Sequence, residues 1–505
     1  MILLKKILPA AVLAGIAMIP GLAVACGHPF AAYCFGFFAV LFLLFISFRF
    51  PFFTYLLFIV SLPLEAVLVM DVGFTIRLSY VILAVLIASM IISGRKFRFA
   101  SPLVLPILMF LAVCAVSLAN NIFFPSPGVE LASEVALRGS AMRPAVQLFY
   151  LFFMVSAYFV SFHFCSDRKI WGKVMKVFVF TAFVVAIYGI YQFFALKYGL
   201  PFVDMTNALS TTGSKIGVSY YRDPFLFRPH ATFQEPLFFA NYILSVLPLL
   251  LILFIFGSRR VSGKIGTAVA AIKPVLPMFL ALTIAIILTK SRGAWIGLIL
   301  AGIFIFLIFK TKEKIKLVSL AFLAVVIFCF FFVFEISNGG YNDFKEYFVG
   351  RFSAESLQKE PRLSDLDFAL DLWWKYPIFG VGIGNYNFYA ADYYNVKTMP
   401  VAPNIWTQTL AETGIFGFGA LFFLIISCGM VLTRALIISA GTAWYPYAAG
   451  YLACFIGMMG QYLFSFDRLP LFFWVFMGIS VAAAGLIEKT NVFPELKTCD
   501  NLKKY

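Results

Sequence analysis

Arginine side chains at the ends of apolar segments are the groups in this sequence best suited to chemistry on phosphates. Arg292 lies in L-T-K-S-R-G-A-W, between two apolar runs that leave room only for a tight hairpin. A cation at that depth is expected to face a protein cavity or a phosphate, and the structural alternative is a side chain that reaches the membrane interface. Guanidinium suits phosphate because its planar fork donates two parallel hydrogen bonds and stays charged.

Two carboxylates lie in segments that are otherwise largely apolar. Glu235 closes the string R-P-H-A-T-F-Q-E-P, which Arg228 opens, and it directly precedes Pro236. Proline at the first helical position and an acid beside the helix N-terminus also make ordinary capping sense, so a structural role for Glu235 is the alternative. Glu412 falls inside a predicted apolar helix, where a carboxylate is unfavourable unless it faces protein.

Composition places the chain among membrane proteins. Of its 505 residues, 62% are hydrophobic and 12% are charged, whereas in soluble domains about half are apolar and a quarter are charged. The fold class expected is an all-α, polytopic integral membrane protein with about 12–14 transmembrane helices. The apolar runs that predict these helices are 7–25, 30–47, 52–70, 76–93, 102–119, 144–165, 171–195, 236–257, 274–289, 293–309, 315–335, 411–433, 443–463 and 470–487.

Basic residues in the short loops predict the orientation of the chain. Placing Lys5 and Lys6 in the cytoplasm puts the basic loops on that side and leaves the short loops opposite almost without Lys or Arg. The cytoplasmic residues are then Arg49, Arg95, Lys96, Arg98, Arg168, Lys169, Lys173, Arg259, Arg260, Lys264, Lys273, Lys310, Lys312, Lys314, Lys316, Arg434, Lys489, Lys497, Lys503 and Lys504. Both termini are therefore predicted to be cytoplasmic.

The same orientation gives the predicted domain organisation. We expect N-terminal transmembrane helices over 1–143, and core helices with an outer loop at 196–235 over 144–335. A large outward-facing loop covers 336–410, and C-terminal helices with a cytoplasmic tail cover 411–505. The first apolar run also fits a signal peptide with a cleavage site after Ala25, although a retained first span is favoured and the remaining topology is the same either way.

Cysteine and histidine do not form a metal-site pattern. The eight Cys residues contain no C-x-x-C pair, and the three His residues are scattered. The sequence also lacks a phosphate-binding P-loop and an Asp-x-Asp motif. If the protein is an enzyme, metal-independent chemistry without a cofactor is expected.

The longest polar interruption, 362–417, contains the remaining features of interest. Leu363, Leu366, Leu370 and Trp373 lie at helical spacing and predict an amphipathic helix that stops at Pro377. Three glycines then predict a tight turn whose backbone N–H groups point outward. These are Gly380, Gly382 and Gly384. Asn404 lies just outside the next predicted helix.

Several of these strings together resemble the O-antigen ligase and O-antigen polymerase superfamily. The resemblance rests on R-L-x5-A-L, P-I-F-G-V-G-x-G-N, N-x9-G-x-x-G and T-x-S-R-G-A, and it runs roughly from 187 to 424. The R-x-x-A-T-F-x-x-P block that Arg228 opens also fits, with the Glu-Pro that polymerases often show. One departure matters: ligases carry His immediately before Asn404, where this sequence has Pro403.

The resemblance implies roles for particular residues. Arg292 and Arg362 would hold the diphosphate of a polyprenyl-linked donor, with Arg351 in reserve and Arg228 in the matching block. Because Pro403 cannot be the general base, Glu235, Glu412 and His230 remain the candidates, with Glu235 ahead of Glu412.

The function expected from the resemblance is transfer of glycans at the outer face of a bacterial inner membrane. A polymerase joining polyprenyl-diphosphate-linked units is favoured, and a ligase moving a finished glycan to a lipid or protein acceptor is the alternative. Partners implied are the lipid-linked donor, a glycan or lipid acceptor, membrane lipids and a candidate chain-length regulator, with no nucleic acid. A flippase or transporter is the alternative from another class, but the sequence shows no internal repeat.

Overall fold

Apolar helices dominate the structure, as the composition predicts. The computed structural model describes residues 29–67, 69–71, 75–95, 97–123, 143–202, 204–205, 227–256, 275–320, 361–396, 400–465 and 469–491, without the side chains of 29–38, 70–71, 75, 120–123, 361–362 and 491. The fold is all-helical apart from one two-residue hairpin in this part of the chain. It is that of a polytopic membrane protein.

Helix length separates two groups among the described residues. The helices long and apolar enough to cross a membrane are Arg143–Cys165, Arg168–Tyr198, Pro236–Phe256, Ile405–Ile438 and Leu471–Thr490. The shorter apolar helices are Ala39–Arg49, Pro51–Ser61, Leu78–Ile92, Val104–Ala119, Val275–Leu288 and Arg292–Ile308. The predicted run 7–25 and most of 315–335 lie outside the described residues, so the total of 12–14 spans stays a prediction.

The predicted span at 52–70 is wrong in length. Its helix ends at Ser61, two residues before Pro63, because proline has no N–H group with which to continue the helical hydrogen bonds. The segment then continues as a turn into a short antiparallel hairpin. An 11-residue helix rises only about 16 Å, well short of a bilayer core of about 30 Å.

The described residues before Arg98, together with Thr232–Gln234, form the smaller of two compact units. Its elements are α1 Pro29–Arg49, α2 Pro51–Ser61, β1 Met70–Asp71, β2 Thr75–Ile76 and α3 Leu78–Ile92. Helix α3 packs against α1 and α2. A buried salt bridge joins Glu65 to Arg77. Thr232 is bound to the same turn, since its Oγ1 donates to Pro63 O at 2.6 Å and its carbonyl accepts from Ala66 N at 3.0 Å.

The larger unit contains the other helices. They are α4 Val104–Phe123, α5 Arg143–Cys165, α6 Arg168–Tyr198, α7 Pro236–Leu244, α8 Leu247–Phe256, α9 Val275–Leu288, α10 Arg292–Ile308, α11 Pro361–Lys375, α12 Tyr386–Tyr393, α13 Ile405–Ile438, α14 Tyr445–Tyr462 and α15 Leu471–Asn491. Helix α14 packs against α8, α10 and α13, and α15 packs against α5 and α13. Helix α13 therefore lies beside both α14 and α15.

Close contact between α10 and α14 depends on glycine. A Cβ atom built on Gly297 would lie 2.2 Å from the carbonyl oxygen of Gly457. Small residues at such crossings let two backbones approach closely, which is a common way to join helices in membranes. The second turn of α10 therefore lies directly against the C-terminal half of α14.

Helix α11 has the predicted extent but a different buried face. It ends at Lys375, close to the predicted stop at Pro377. However, Leu363 and Leu370 are exposed, and the buried residues are Phe368, Ala369 and Leu372. These three pack with Val381, Tyr386, Ala390, Ala402 and Ala411. Aromatic contact with α12 therefore decides which face is buried.

Candidate active site

The hairpin between α9 and α10 carries the first predicted cation. Helix α9 ends at Leu288 and α10 begins at Arg292, with Ser291 as N-cap. Lys290 adopts a φ of 50°, which turns the chain sharply between the two helices. Arg292 is half-buried at the first helical position, where unpaired backbone N–H groups and the helix dipole also favour an anion.

Arg228 is bound to this hairpin. Its Nε donates a hydrogen bond of 2.7 Å to the carbonyl of Thr289, and its side chain is partly buried. The resemblance assigns Arg228 and Arg292 to one diphosphate site, and this hydrogen bond joins the two strings, which are separated by about sixty residues. Thr289, the residue that Arg228 contacts, lies three residues before Arg292 in the same hairpin.

Glu235 occupies the N-cap position of α7, and Pro236 follows at the first helical position. This agrees with the capping geometry expected from the sequence. The carboxylate forms no side-chain cap hydrogen bond, however, although the Glu235 backbone is extended as a cap requires. Glu235 is half-buried, and its charge beside the helix N-terminus remains favourable without that bond.

His230 lies in the core of the larger unit, with 2% of its surface exposed. Gln192 of α6 binds the backbone here twice, because its Oε1 accepts from His230 N at 3.1 Å and from Ala231 N at 2.8 Å. With its oxygen used in this way, the amide presents Nε2 to His230 Nε2, at 3.3 Å. The imidazole nitrogen then accepts a hydrogen bond, which favours a structural role for His230 over proton abstraction.

The Gly-rich turn packs onto a break in α13. Gly414 has φ 65° and ψ −166°, which interrupts the helix. Three backbone hydrogen bonds join the turn to the residues on either side of the break. Ile415 N donates to Pro377 O at 2.9 Å, Val381 N to Ala411 O at 3.0 Å and Gly382 N to Glu412 O at 2.9 Å. An unbroken helix would use both carbonyls internally, so the turn replaces the missing helical bonds.

The glycines of the turn have the left-handed geometry that the sequence predicts. Gly380, Gly382 and Gly384 have φ values of 66°, 96° and 91°. The expectation that their N–H groups point outward is wrong for two of them, because Gly380 N donates to Tyr376 O at 3.1 Å and Gly382 N pairs with α13. Gly380 also packs directly on the main chain of Glu412. The turn is a backbone clamp on α13 at these positions.

Glu412 faces protein, as its depth in a helix requires. It is 2% exposed, and its Oε1 accepts from Gln408 Nε2 at 3.3 Å. Its carbonyl is also bound by the Ser117 hydroxyl of α4, at 2.8 Å. Glu412 is therefore fixed two residues before the α13 break at Gly414, and its burial restricts access to a substrate.

Asn404 caps α13 as predicted. Its Oδ1 accepts from Thr407 N at 2.9 Å, a typical N-cap bond. The next residue, Ile405, donates its backbone N–H to Ser465 O just after α14, at 2.8 Å. Pro403 is buried beside this cap, and it supplies no proton acceptor there.

The loop arginines are not placed by the structure. Arg362 is the second residue of α11, but its side chain lies outside the described residues, as does all of Arg351. Arg143, at the start of α5, contacts this region instead. Its Nη2 donates to Asn387 Oδ1 at 3.4 Å, and its guanidinium lies 5.5 Å from the ring centre of Phe388. The sequence marks Arg143 only as a cation at the end of an apolar run.

Tyrosines of α12 lie beside this contact and stay protonated. Burial raises the pKa of Tyr389 to about 12, with Tyr376 adding to the rise. Burial and the nearby Asp365 raise the pKa of Tyr386 as well. Tyr394 donates to Asp365 Oδ1 at 3.0 Å. These phenols are hydrogen-bond donors at physiological pH and not bases.

The fold and these contacts together define the class of protein. The described chain is a polytopic membrane protein with a cationic hairpin and a Gly-rich turn clamped to a broken helix. Within it, no group of three or more His, Cys, Asp and Glu side chains is placed to hold a metal ion. Metal independence stays a prediction.

Residues 276–423 match the family model described as O-antigen ligase. The match supports the O-antigen ligase and polymerase superfamily and a function of that type. It includes Arg292, Arg362, the Gly-rich turn and Glu412, whereas Arg228, His230 and Glu235 precede it. No curated protein matches the chain.

Proposed function

We propose that this protein is a glycosyltransferase that joins polyprenyl-diphosphate-linked oligosaccharide units, acting as a polymerase at the outer face of the inner membrane. One observation carries the proposal: Arg228 Nε is bound to the carbonyl of Thr289, in the hairpin that leads to Arg292. The guanidinium groups of Arg228 and Arg292 thus come from separate strings, and one is bound to the hairpin in which the other lies. Such a pair can hold a diphosphate through charge-assisted hydrogen bonds.

The transfer consists of one bond made and one bond broken. An acceptor hydroxyl oxygen bonds to the anomeric carbon of the donor sugar, while the bond from that carbon to the diphosphate oxygen breaks. The electron pair leaves with the polyprenyl diphosphate, whose developing negative charge Arg228 and Arg292 stabilise. The hydroxyl proton passes to a general base.

Glu235 is the first candidate for that base, ahead of Glu412. Glu235 is half-buried at the start of α7, seven residues after Arg228 in the chain. Glu412 is almost fully buried and is bound by Gln408, which suits a structural partner of the α13 break. His230, with its imidazole bound by Gln192, is the weakest of the three.

A pH–rate profile separates these candidates. Glu235→Gln is expected to lose the acidic limb of the profile together with most of the rate, because the amide cannot accept the proton. Glu412→Gln is the matched control and should keep that limb. Wild-type profiles in both variants would contradict carboxylate catalysis.

A ligase is the second candidate function. The family model that matches is described as O-antigen ligase, but the position before Asn404, which holds His in ligases, is Pro403 here. Lipid-linked intermediates from a strain lacking the gene distinguish the functions. Single repeat units accumulate if a polymerase is lost, and long lipid-linked chains accumulate if a ligase is lost. Intermediates confined to the cytoplasmic leaflet would contradict both enzymes and support a flippase.

A further inference from the structure

Gln461, in the last turn of α14, is a buried side chain that touches the start of two other helices. It is 0% exposed. Its Nε2 donates a 2.7 Å hydrogen bond to the carbonyl of Leu237, which lies in the first turn of α7. Glu235 is the N-cap of that helix. Gln461 therefore fixes the end of α7 that carries the candidate base.

The same side chain packs against the start of α10. A Cβ atom built on Gly293 would lie 3.5 Å from Gln461 Cγ and 3.1 Å from Phe464 Cβ. Gly293 is the residue after Arg292, so the first turn of α10 rests on Gln461. The backbones of α10 and α14 also approach closely at Gly297 and Gly457, so this contact belongs to a tightly packed crossing.

The amide of Gln461 uses its nitrogen and not its oxygen for hydrogen bonding. Its Oε1 has no hydrogen-bond partner among the described residues. A buried amide oxygen without a partner is unfavourable, and Met would fill nearly the same volume without it. The donating Nε2 is therefore the group that the site uses.

We propose that Gln461 is a positioning residue that sets the separation between Glu235 on α7 and Arg292 on α10. The proposal rests on the proposed function, in which these two side chains handle the proton and the diphosphate. Gln461 acts through them and does not contact the donor. Loss of its hydrogen bond would let the start of α7 move relative to α10. Small displacements of a catalytic group reduce the rate of transfer more than they reduce donor affinity.

The test compares Gln461→Met with Tyr451→Phe. Tyr451 lies on the same helix and is also buried. Its hydroxyl accepts a 3.0 Å hydrogen bond from Trp171 Nε1 and donates to Met175 Sδ at 2.8 Å, so its variant removes at least as much buried hydrogen bonding as Gln461→Met. Two quantities are measured for each purified variant at equal folded amounts. The first is the dissociation constant of farnesyl diphosphate, a soluble probe of the arginine pair. The second is the rate of product formation from lipid-linked donor extracted from the deletion strain.

The expected result is a split between the two quantities. For Gln461→Met the rate falls by about tenfold or more while probe affinity changes by less than about twofold. Tyr451→Phe leaves both unchanged. A wild-type rate in Gln461→Met overturns the positioning role, and so does an equal loss of rate and affinity. If Gln461→Met does not fold, Gln461→Leu gives the same reading, because its apolar side chain cannot donate to Leu237 O.

Failure of the proposed function has a different signature. Arg292→Ala should weaken farnesyl diphosphate binding and abolish the rate. If Arg292→Ala binds the probe and forms product like the wild type, the diphosphate site is wrong. If Arg292→Ala fails as expected while Gln461→Met behaves as wild type, the diphosphate site stands and the positioning role is wrong.

Discussion

Replacing Gly414 by Ala should detach the Gly-rich turn from α13. The backbone at Gly414, with φ 65° and ψ −166°, lies in a region that is essentially restricted to glycine. A Cβ atom there would also lie 2.2 Å from the carbonyl oxygen of Ile378. The substitution therefore combines backbone strain with a clash against main-chain atoms, which cannot be relieved by rotating a side chain.

The free-energy cost of Gly414→Ala is the sum of three contributions. Backbone strain contributes about 1–3 kcal/mol, and the overlap contributes about 1–3 kcal/mol. Losing the hydrogen bond from Ile415 N to Pro377 O adds about 1 kcal/mol. A combined cost of about 3–7 kcal/mol is comparable with the stability of a whole domain. Separating the turn from α13 relieves most of it, and the apolar helices can stay in the membrane.

The assay is maleimide labelling of a cysteine placed at Ile383, in a background without native cysteines. Ile383 is 5% exposed, so Ile383→Cys should react slowly in the wild-type context and rapidly with Gly414→Ala. Gly419→Ala is the control, because Gly419 lies on the same helix and a Cβ atom added to it would meet nothing within 4 Å. It should label slowly and gain up to about 1 kcal/mol of helix stability. Slow labelling in Gly414→Ala would refute the reasoning.

Three further predictions concern other parts of the chain. Gly297→Ala should lower the melting temperature strongly because its Cβ would overlap Gly457 O, whereas Gly302→Ala, with open space around it, should not; equal melting temperatures would contradict the close crossing. Burial and Tyr376 raise the pKa of Tyr389 to about 12. Protonated Tyr389 should therefore stabilise the loop below its unfolded pKa of about 10, and this contribution should be lost as the pH rises from 10 to 12. Proteolysis of the loop in this range should be less pH-dependent in Tyr389→Phe. Reporter fusions should place Lys312 and the C-terminal tail in the cytoplasm and Tyr389 outside, and a cytoplasmic Tyr389 would contradict the orientation.

Local features of the site were predictable because they depend on neighbours in the sequence. Pro377 indicated the end of α11, Asn404 was placed just outside the next helix, and the glycines indicated a tight turn. All three are found in the structure. Each depends on backbone geometry within a few residues, which amino-acid type largely decides.

Features that depend on contacts between distant segments were not predictable. Nothing in the string around Gly380 indicates that its turn completes the hydrogen bonds of a broken helix thirty residues later. The prediction of which face of α11 is buried was wrong for the same reason. Aromatic residues of α12 cover Phe368, and Leu363 and Leu370 are left exposed. Gln192 and Gln461 lacked a sequence signal because a lone glutamine in an apolar helix does not identify its partner.

The most direct test of the central claim is the affinity of the purified protein for farnesyl diphosphate after substitution of each arginine of the pair. Arg228→Lys and Arg292→Lys keep the charge but lose the planar fork, and Arg434→Lys is the control, at an exposed arginine paired with Glu488. Hydrogen bonds to charged groups contribute about 1.5–3 kcal/mol, so losing the fork should weaken binding by about tenfold or more. The account predicts this loss at Arg228 and at Arg292 and none at Arg434. Wild-type affinity in Arg228→Lys and Arg292→Lys would contradict it.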